Sequence, residues 1–302
     1  MTRTYVITGG TGFIGKRVLK HILNETSSPV IALTRNKEAL VDIGPPDIGT
    51  PGIASLGIGP RCTIITADIT QLELSDWQEI LSKATDVIHA AWCTQGPNPY
   101  QSFENLHHME TSFRIGRAAL EAKVERFSGL GTCLEYGHLS IPANLDTPLA
   151  PQSVYAKSKA AAFLGLSALF SSAPILFAWY RLYQVFHESE PRSKLIPYLH
   201  EQLKNGQQAH LSPGEQVRDF IHVNQAAKRV WQLHNSGYQG SANICTGFGM
   251  SVREKCIEIA RSYRSEALLK FGESKPHPDD PPYLVGVPTL PHNACAQLSS
   301  SP

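Results

Sequence analysis

A glycine-rich turn near the start of the chain restricts the fold more than any other feature of the sequence. The apolar run at residues 4–8 is typical of a short strand, and Gly9, Gly12 and Gly15 follow it, just before a segment with helical periodicity. Such glycines let the chain turn tightly, bring backbone amides close to a pyrophosphate and let a helix pack against its strand. The start of that helix then faces the phosphates. Its position between a strand and a helix favours a dinucleotide-binding turn over an ordinary loop.

Short apolar runs alternate with helical segments along the first two thirds of the chain. Strands that are buried on both faces are continuous in apolar character and rich in Val and Ile, as these runs are. Val18, Leu19 and Ile22 share one face of the first helical segment. Repeated strand–helix–strand units predict an α/β chain with a doubly wound parallel sheet of the Rossmann type. The predicted strands are Tyr5–Thr8, Val30–Thr34, Cys62–Thr66, Asp86–Ala90, Phe127–Leu130 and Ile175–Tyr180.

Composition and charge exclude several classes of function. The chain has 302 residues with 27 Lys and Arg against 26 Asp and Glu, so we expect neither nucleic acid nor a membrane surface as a partner. Apolar residues make up 42% of the chain, which is enough for a large core. The six cysteines are scattered, which predicts free thiols rather than a zinc site or a disulfide framework. With no signal-like N-terminal segment and no uninterrupted apolar stretch, we expect a cytoplasmic protein.

Two chemistries that the sequence could suggest are disfavoured. The adjacent His107 and His108 would project about 100° apart on a helix, so they cannot easily bind one ion, and no metal site is predicted. Cys133 could act as a nucleophile, but neither a helix N-terminus nor a paired histidine activates its thiol. Its sequence context predicts a small buried residue.

The end of the second strand bears on which dinucleotide is bound. An Asp or Glu about 20 residues beyond the glycines binds the ribose hydroxyl in NAD-binding proteins. Arg35 stands there instead, and its guanidinium can pair with a 2′-phosphate. NADP is therefore favoured over NAD, with a solvated Arg35 as the alternative. Asp68, after the third strand, either accepts a hydrogen bond from the adenine amino group or forms an Asx turn.

Three polar side chains predict a site of proton transfer. Tyr155 and Lys159 lie one turn apart on the same face of a predicted helix. A nearby ammonium favours phenolate and lowers the pKa of a tyrosine, which allows proton exchange with a carbonyl or hydroxyl oxygen near neutral pH. Thr132 ends the fifth strand, where doubly wound sheets bind ligands. Its hydroxyl can therefore bind the same substrate oxygen.

Together these motifs resemble the extended short-chain dehydrogenases/reductases of the NAD-dependent epimerase/dehydratase group. The glycine turn, the Thr132, Tyr155 and Lys159 set, and the later segments around Arg218 and Asn243 occur in the family's order over about residues 4–285. The resemblance implies that Tyr155 is the acid/base, Lys159 its modulator and ribose ligand, and Thr132 the hydroxyl that orients the carbonyl. The cofactor-binding set is then Gly9, Gly12, Phe13, Ile14, Gly15, Arg35, Asp68, Ile69, Ala91, Tyr155 and Lys159.

Within that group, the segments at residues 89–92, 104–105 and 131–137 resemble nucleotide-sugar 4-ketoreductases of the CDP-abequose synthase type. The dehydratases of the family carry Thr-Asp-Glu at the end of the fifth strand. Cys133 and Leu134 stand at the last two positions here, so the carboxyl groups that would expel water are missing. The resemblance therefore implies reduction of the C4 ketone of a nucleotide-diphosphate 4-keto-6-deoxyhexose. An epimerase with a tightly bound cofactor and a catalytically silent NADP-sensing protein are the alternatives.

The resemblance also implies a set of substrate contacts. Arg218 would grip the diphosphate of the sugar nucleotide, for which a planar guanidinium is well suited. Gln184 stands where related proteins commonly carry an Asn that contacts the substrate. Trp92 and Glu135 are the other two predicted contacts, the latter because alternation along the strand would turn it towards the sugar.

The division of the chain follows from the same resemblance. Residues 1–183 are expected to form the dinucleotide-binding domain, with residues 217–238 packing back onto it. Residues 184–216 and 239–302 would form a smaller C-terminal substrate-binding lobe. Residues 44–60 contain five Gly and four Pro, which predict a surface loop. A homodimer through two long helices of each subunit is what the family implies.

Overall fold

Fourteen strands and seven helices lie within residues 3–36, 61–94, 96, 98–188, 190, 193–275 and 280–290, the part of the chain that the structure, a computed structural model, describes. The predicted loop at 44–60 lies outside these residues. The strands are β1 Tyr5–Thr8, β2 Val30–Thr34, β3 Cys62–Thr66, β4 Asp86–His89, β5 Arg126–Thr132, β6 Leu176–Leu182, β7 Gln184–Phe186, β8 Ala209–Leu211, β9 Val217–Arg218, β10 Phe220–His222, β11 Gly240–Ile244, β12 Met250–Ser251, β13 Leu269–Phe271 and β14 Tyr283–Leu284. The helices are α1 Gly15–Glu25, α2 Leu74–Leu81, α3 Glu104–Glu121, α4 Val154–Phe170, α5 Leu195–Lys204, α6 Val223–Asn235 and α7 Val252–Ser262.

Seven of the strands form one parallel sheet, in the order β11-β6-β5-β4-β1-β2-β3. The predicted doubly wound sheet is confirmed, and the first three predicted strands match β1, β2 and β3 to the residue. β5 and β6 run further than predicted because their pairing continues to Thr132 opposite Leu182. The direction of strand order reverses between β1 and β4, which opens a crevice at their carboxyl ends.

Helices cover both faces of this sheet. On one face α1 and α6 bury Val18 and Val230 in a shared core. On the other face α2, α3 and α4 bury Trp77, Ile115 and Leu166. Each face of the sheet thus has its own apolar layer, as a parallel sheet requires.

Helix α4 positions two of the predicted site residues. It starts after Ser153, whose hydroxyl accepts a hydrogen bond from the Ala156 amide at 3.1 Å, and Tyr155 and Lys159 therefore occupy its first two turns. The helix ends at Phe170, and a turn then leads into β6. Within the described residues, no helix combines the length and the apolar character needed to cross a membrane.

The remaining elements build a smaller unit around α5 and α7. Leu199 and Ile259 share its core with the strand pair β13-β8.

The predicted boundary at residue 239 is corrected, because β11 pairs with β6 along its whole length and residues 240–244 therefore belong to the central sheet. Ala242 and Ile244 of β11 are fully buried there. Helix α6, within the segment at 217–238, packs on α1.

Candidate active site

A cavity of about 1220 Å³ lies between the carboxyl ends of the central strands and the smaller unit. Its wall combines residues from the glycine turn, from β5 and α4, and from the segments after β6. Substrates and cofactors of doubly wound folds bind at this edge of the sheet. The predicted site residues that line the cavity are Phe13, Ile14, Thr132, Tyr155, Gln184 and Arg218.

The glycine turn brings bare backbone to the crevice between β1 and β4. Gly9 has a φ of 68°, and a Cβ there would lie 2.8 Å from the Ala91 amide nitrogen. A Cβ on Gly15 would lie 2.1 Å from the Gly9 carbonyl oxygen, and one on Gly12 would lie 3.1 Å from it. Within the described part of the chain, no side chain caps the start of α1. These features fit the pyrophosphate of a dinucleotide, because amides at the helix start are left to bind it.

The residues predicted at the adenine end of the cofactor lie next to one another. Two hydrogen bonds from Thr70, by its amide at 3.0 Å and its hydroxyl at 2.8 Å, hold Asp68 in an Asx turn. The Thr70 hydrogen bonds and then the Arg35 guanidinium hold the pKa of Asp68 below its ordinary value. Ile69 is 6% exposed, so its side chain has little surface for a ligand. Arg35 is exposed at the end of β2.

Thr132 and Tyr155 meet on the cavity wall. β5 ends at Thr132, whose hydroxyl accepts a hydrogen bond from the Leu134 amide at 3.3 Å. This contact starts a single 3-10 turn over Cys133–Tyr136. The Thr132 hydroxyl lies beside the phenol of Tyr155 and lowers its pKa, an effect smaller than that of burial. The Tyr155 amide donates to the carbonyl oxygen of Tyr100 at 2.9 Å, and the two rings meet edge to face.

The predicted lowering of the Tyr155 pKa is corrected. Burial, followed by the neighbouring Tyr100, raises the pKa of Tyr155 above its ordinary value. Burial also lowers the pKa of Lys159 to about 7. The Lys159 ammonium donates to the carbonyl oxygen of Leu130 at 2.5 Å and lies 3.7 Å from the centroid of the Trp92 ring. Tyr155 is therefore a protonated phenol in this structure, ready to donate.

Trp92 lies against Lys159, and its role as a substrate contact stays a prediction. The described cavity lining does not include Trp92. Its indole nitrogen donates to the Asn105 side-chain oxygen at 2.8 Å, and Asn105 is fully buried. His108 stacks on the Trp92 ring at 5.6 Å between centroids. Burial and the charge of Lys159 lower the pKa of His108 to about 4, so this side chain is neutral.

Glu135 is also corrected, because its carboxylate is fully buried and pairs with Arg181 at 2.7 Å. The prediction assumed that strand alternation continues past Thr132. The chain turns there into the 3-10 turn, which points the Glu135 side chain inwards. Cys133, by contrast, fits its predicted role as a small buried residue, since burial raises the pKa of its thiol to about 12.

Arg218 and Gln184, two of the predicted substrate contacts, both line the cavity. Arg218 is 3% exposed, and its guanidinium lies 2.6 Å from the carboxylate of Asp280. An incoming anion would therefore compete with Asp280 for the guanidinium. Sequence reasoning missed Asp280, because no local spacing links residues so far apart in the chain.

One cluster within the described residues has the ligand types of a metal site. His187, Glu188 and His222 place their ligand atoms within 4.8 Å of one another, because β7 and β10 pair in parallel and end side by side. Burial and the positive charges of Arg17 and Lys16 lower the pKa of His187. The same positive charges repel a cation, so we assign no metal here.

Comparison with known proteins places these observations in a family. The profile of the NAD dependent epimerase/dehydratase family matches residues 5–245. The dTDP-6-deoxy-L-talose 4-dehydrogenase (NAD(+)) of Aggregatibacter actinomycetemcomitans is 24% identical, over 88% of this chain and 93% of its own length. CDP-abequose synthase of Salmonella muenchen is 21% identical, over 90% of this chain and 85% of its own length.

The fold has the same relatives. UDP-N-acetylglucosamine 4-epimerase from Methanobrevibacter ruminantium M1, solved in complex with UDP-N-acetylmuramic acid, matches with a TM-score of 0.80 at 21% identity. The match covers 100% of this chain and 93% of that one. The family match contains all seven strands of the central sheet and confirms the resemblance stated from the motifs. The chain belongs to the NAD dependent epimerase/dehydratase family, which is an NAD-dependent enzyme class of the extended short-chain dehydrogenase/reductase type.

Proposed function

We propose that the protein reduces the C4 ketone of a nucleotide-diphosphate 4-keto-6-deoxyhexose, with Tyr155 as the general acid. The observation that carries the proposal is the protonated Tyr155 phenol, which lies beside the Thr132 hydroxyl on the cavity wall. The glycine turn would hold a reduced nicotinamide dinucleotide, which would supply the hydride to C4. Tyr155 then gives its proton to the oxygen that becomes the new hydroxyl, while Thr132 orients that oxygen and stabilises its developing charge.

The two positions after Thr132 favour reduction over dehydration. Expulsion of water needs an acid and a base placed beside the sugar. Cys133 and Leu134 line the cavity at these positions. The Cys133 thiol stays protonated, because burial raises its pKa to about 12, and Leu134 has no titratable group.

The relatives support chemistry at C4 of a nucleotide sugar. One is named a 4-dehydrogenase of a dTDP-6-deoxysugar, and the reverse of such an oxidation is the reduction proposed here. A structural neighbour is named a 4-epimerase and holds a UDP-sugar. Epimerisation, in which the ketone is transient and the cofactor is restored, is therefore the second candidate.

We infer that the cofactor is NADP rather than NAD. Arg35 lies at the end of β2 with an exposed guanidinium, which can pair with a 2′-phosphate. The neighbouring Asp68 uses one carboxylate oxygen for its Asx turn. NAD is the alternative, and the name of the talose dehydrogenase includes NAD(+). With either cofactor, Lys159 would hold the ribose at the nicotinamide end.

We propose Arg218 as the ligand of the substrate diphosphate and Gln184 as a second substrate contact. Both line the cavity. Arg218 can exchange Asp280 for a phosphate oxygen without leaving its place, because its Nη1 donates to the Val217 carbonyl oxygen at 2.8 Å and holds the guanidinium.

We also propose a homodimer through α3 and α4, which carry the exposed apolar side chains Leu106 and Leu164.

The test has two steps with one protein preparation. Calorimetric titration compares NADPH with NADH, and NADPH oxidation is then followed after addition of a dTDP-, CDP- or GDP-linked 4-keto-6-deoxyhexose. We expect tighter binding of NADPH and one cofactor oxidised per sugar reduced. Interconversion of C4 epimers without net oxidation would establish the epimerase instead. Cofactor binding without any change in these sugars would favour the catalytically silent, NADP-sensing protein.

A further inference from the structure

A buried carboxylate lies directly behind the catalytic threonine. Glu135 accepts hydrogen bonds from the Thr132 amide at 2.9 Å and from the Trp179 indole nitrogen at 3.0 Å. Its second oxygen pairs with the Arg181 Nε at 2.7 Å. Glu135 is fully buried and Arg181 is 2% exposed. Three donors from β5 and β6 thus converge on one carboxylate, which satisfies a charge that would otherwise be costly to bury.

Two glycines of β5 make this arrangement possible. A Cβ on Gly129 would lie 2.3 Å from the six-membered ring of Trp179. A Cβ on Gly131 would lie 2.2 Å from the Trp179 indole nitrogen and 2.5 Å from a carboxylate oxygen of Glu135. The indole therefore lies across β5 where these side chains are missing. The two glycines of the Gly-Leu-Gly-Thr sequence at the end of β5 thus leave the space that the Trp179 indole fills.

Thr132 is held at both its amide and its hydroxyl. Its amide donates to Glu135, and its hydroxyl accepts from the Leu134 and Glu135 amides in a capping box. A hydroxyl has two acceptor lone pairs and one hydrogen to donate. Because backbone amides occupy the acceptor positions, the hydroxyl hydrogen is left to donate into the cavity, whose wall Thr132 shares with Tyr155.

We propose that Glu135 is a positioning residue, which acts through Thr132 to aim its single hydroxyl hydrogen at the substrate carbonyl beside Tyr155. The proposal rests on the proposed function, because it assumes that Thr132 and Tyr155 act on a carbonyl oxygen. Loss of the acceptor for the Thr132 amide would let the end of β5 shift. A shift of about 1 Å in a catalytic group can lower turnover about 100-fold.

The test compares two double variants that remove the same charges. Glu135→Met with Arg181→Met removes the ion pair and the acceptor for the Thr132 amide, and leaves no unpaired buried charge. Glu135→Gln with Arg181→Met also removes the pair, but the amide oxygen of Gln can still accept from Thr132. We expect the first variant to lower kcat about 10- to 100-fold and the second to recover most of that loss.

Other measurements separate this role from stability alone. NADPH affinity should change less than about twofold in both double variants, because the effect is confined to the catalytic step. Asp86→Asn is the matched control, since Asp86 is a fully buried, ion-paired carboxylate at the opposite end of the strands. It should lower the melting temperature and leave kcat unchanged. If the Glu135→Met, Arg181→Met variant does not fold, Glu135→Asp replaces it. The shorter side chain withdraws the carboxylate from the Thr132 amide, and kcat should fall about tenfold.

Equal losses of kcat in the two double variants would overturn the proposal. So would a wild-type kcat in the Glu135→Met, Arg181→Met variant. If that variant does not fold, a wild-type kcat in Glu135→Asp would overturn it instead. A Tyr155→Phe variant in the same assay shows which idea has failed. If Tyr155→Phe is inactive and the Glu135 variants are fully active, only the positioning role is wrong. If Tyr155→Phe is fully active, the proposed function itself is wrong.

Discussion

The Lys159 ammonium lies 3.7 Å from the centroid of the Trp92 ring and donates a hydrogen bond to the Leu130 carbonyl oxygen. Glu135 raises the pKa of Lys159, but burial outweighs it and lowers the pKa to about 7. A desolvated cation–π contact contributes about 2 kcal/mol, which helps to retain the charge. The pair joins the segment after β4 to helix α4.

Lys159 should make the stability of the protein depend on pH. Its pKa is about 7 in the folded protein and 10.5 ordinarily, so the folded state binds fewer protons between these values. Its destabilising effect is complete below about pH 7 and disappears as the pH rises towards 10.5. We expect Lys159→Met to raise the melting temperature relative to wild type most at pH 6, with a difference that shrinks by pH 10. A difference that is constant with pH would contradict the buried, shifted lysine.

Tyr155→Phe should lower turnover about 10²- to 10⁴-fold, as expected for the loss of a general acid. Cofactor affinity should stay close to wild type, because only one hydroxyl is removed. Steady-state kinetics and calorimetry measure the two quantities. Tyr238→Phe is the matched control, since its hydroxyl donates to the Ser241 carbonyl oxygen away from the cavity. Equal turnover in the two variants would exclude Tyr155 as the acid.

Gly15→Ala should abolish cofactor binding. The added Cβ would lie 2.1 Å from the Gly9 carbonyl oxygen, which is backbone and cannot move aside without opening the turn. Gly10→Ala is the control, because its Cβ would meet the Ala32 side chain at 3.3 Å, a far milder contact. Calorimetry with NADPH and thermal melts should show a large loss for Gly15→Ala and a small one for Gly10→Ala. Comparable affinities would contradict the close approach of backbone at this turn.

Arg35→Ala should weaken NADPH binding about 10- to 100-fold and leave NADH binding unchanged. A hydrogen bond to a charged group contributes about 1.5–3 kcal/mol. Only NADPH carries the 2′-phosphate, so only NADPH would lose its hydrogen bond with Arg35. Arg117→Ala on the exposed face of α3 removes an equal charge from a side chain paired with Glu121, and should alter neither affinity. An equal loss for both cofactors would show that Arg35 does not read the 2′-phosphate.

Arg218 and Asp280 should have opposite effects on substrate affinity. Arg218→Ala removes the proposed diphosphate ligand and should raise KM for the nucleotide sugar about tenfold or more. Asp280→Asn weakens the carboxylate that holds the guanidinium at 2.6 Å, so KM should fall. Steady-state kinetics at saturating NADPH provide the measurement. An increase of KM in both variants would mean that the pair is structural.

Local patterns in the sequence determined the central sheet and part of the site. β1, β2 and β3 are continuous apolar runs, and such runs are read from neighbouring residues alone. The glycine turn between β1 and α1 and the one-turn spacing of Tyr155 and Lys159 are equally local. These features predicted the fold class, the family and the side chains at the cavity.

Only the tertiary structure decided how the polar groups around the site pair. Glu135 meets Arg181, and Arg218 meets Asp280, because separate segments of the chain become neighbours in the folded protein. The pKa of Tyr155 rises for the same reason, since burial depends on every element that covers the ring. Hydrophobic periodicity is a property of one segment, whereas ion pairing and desolvation depend on contacts between segments, which the sequence alone does not specify.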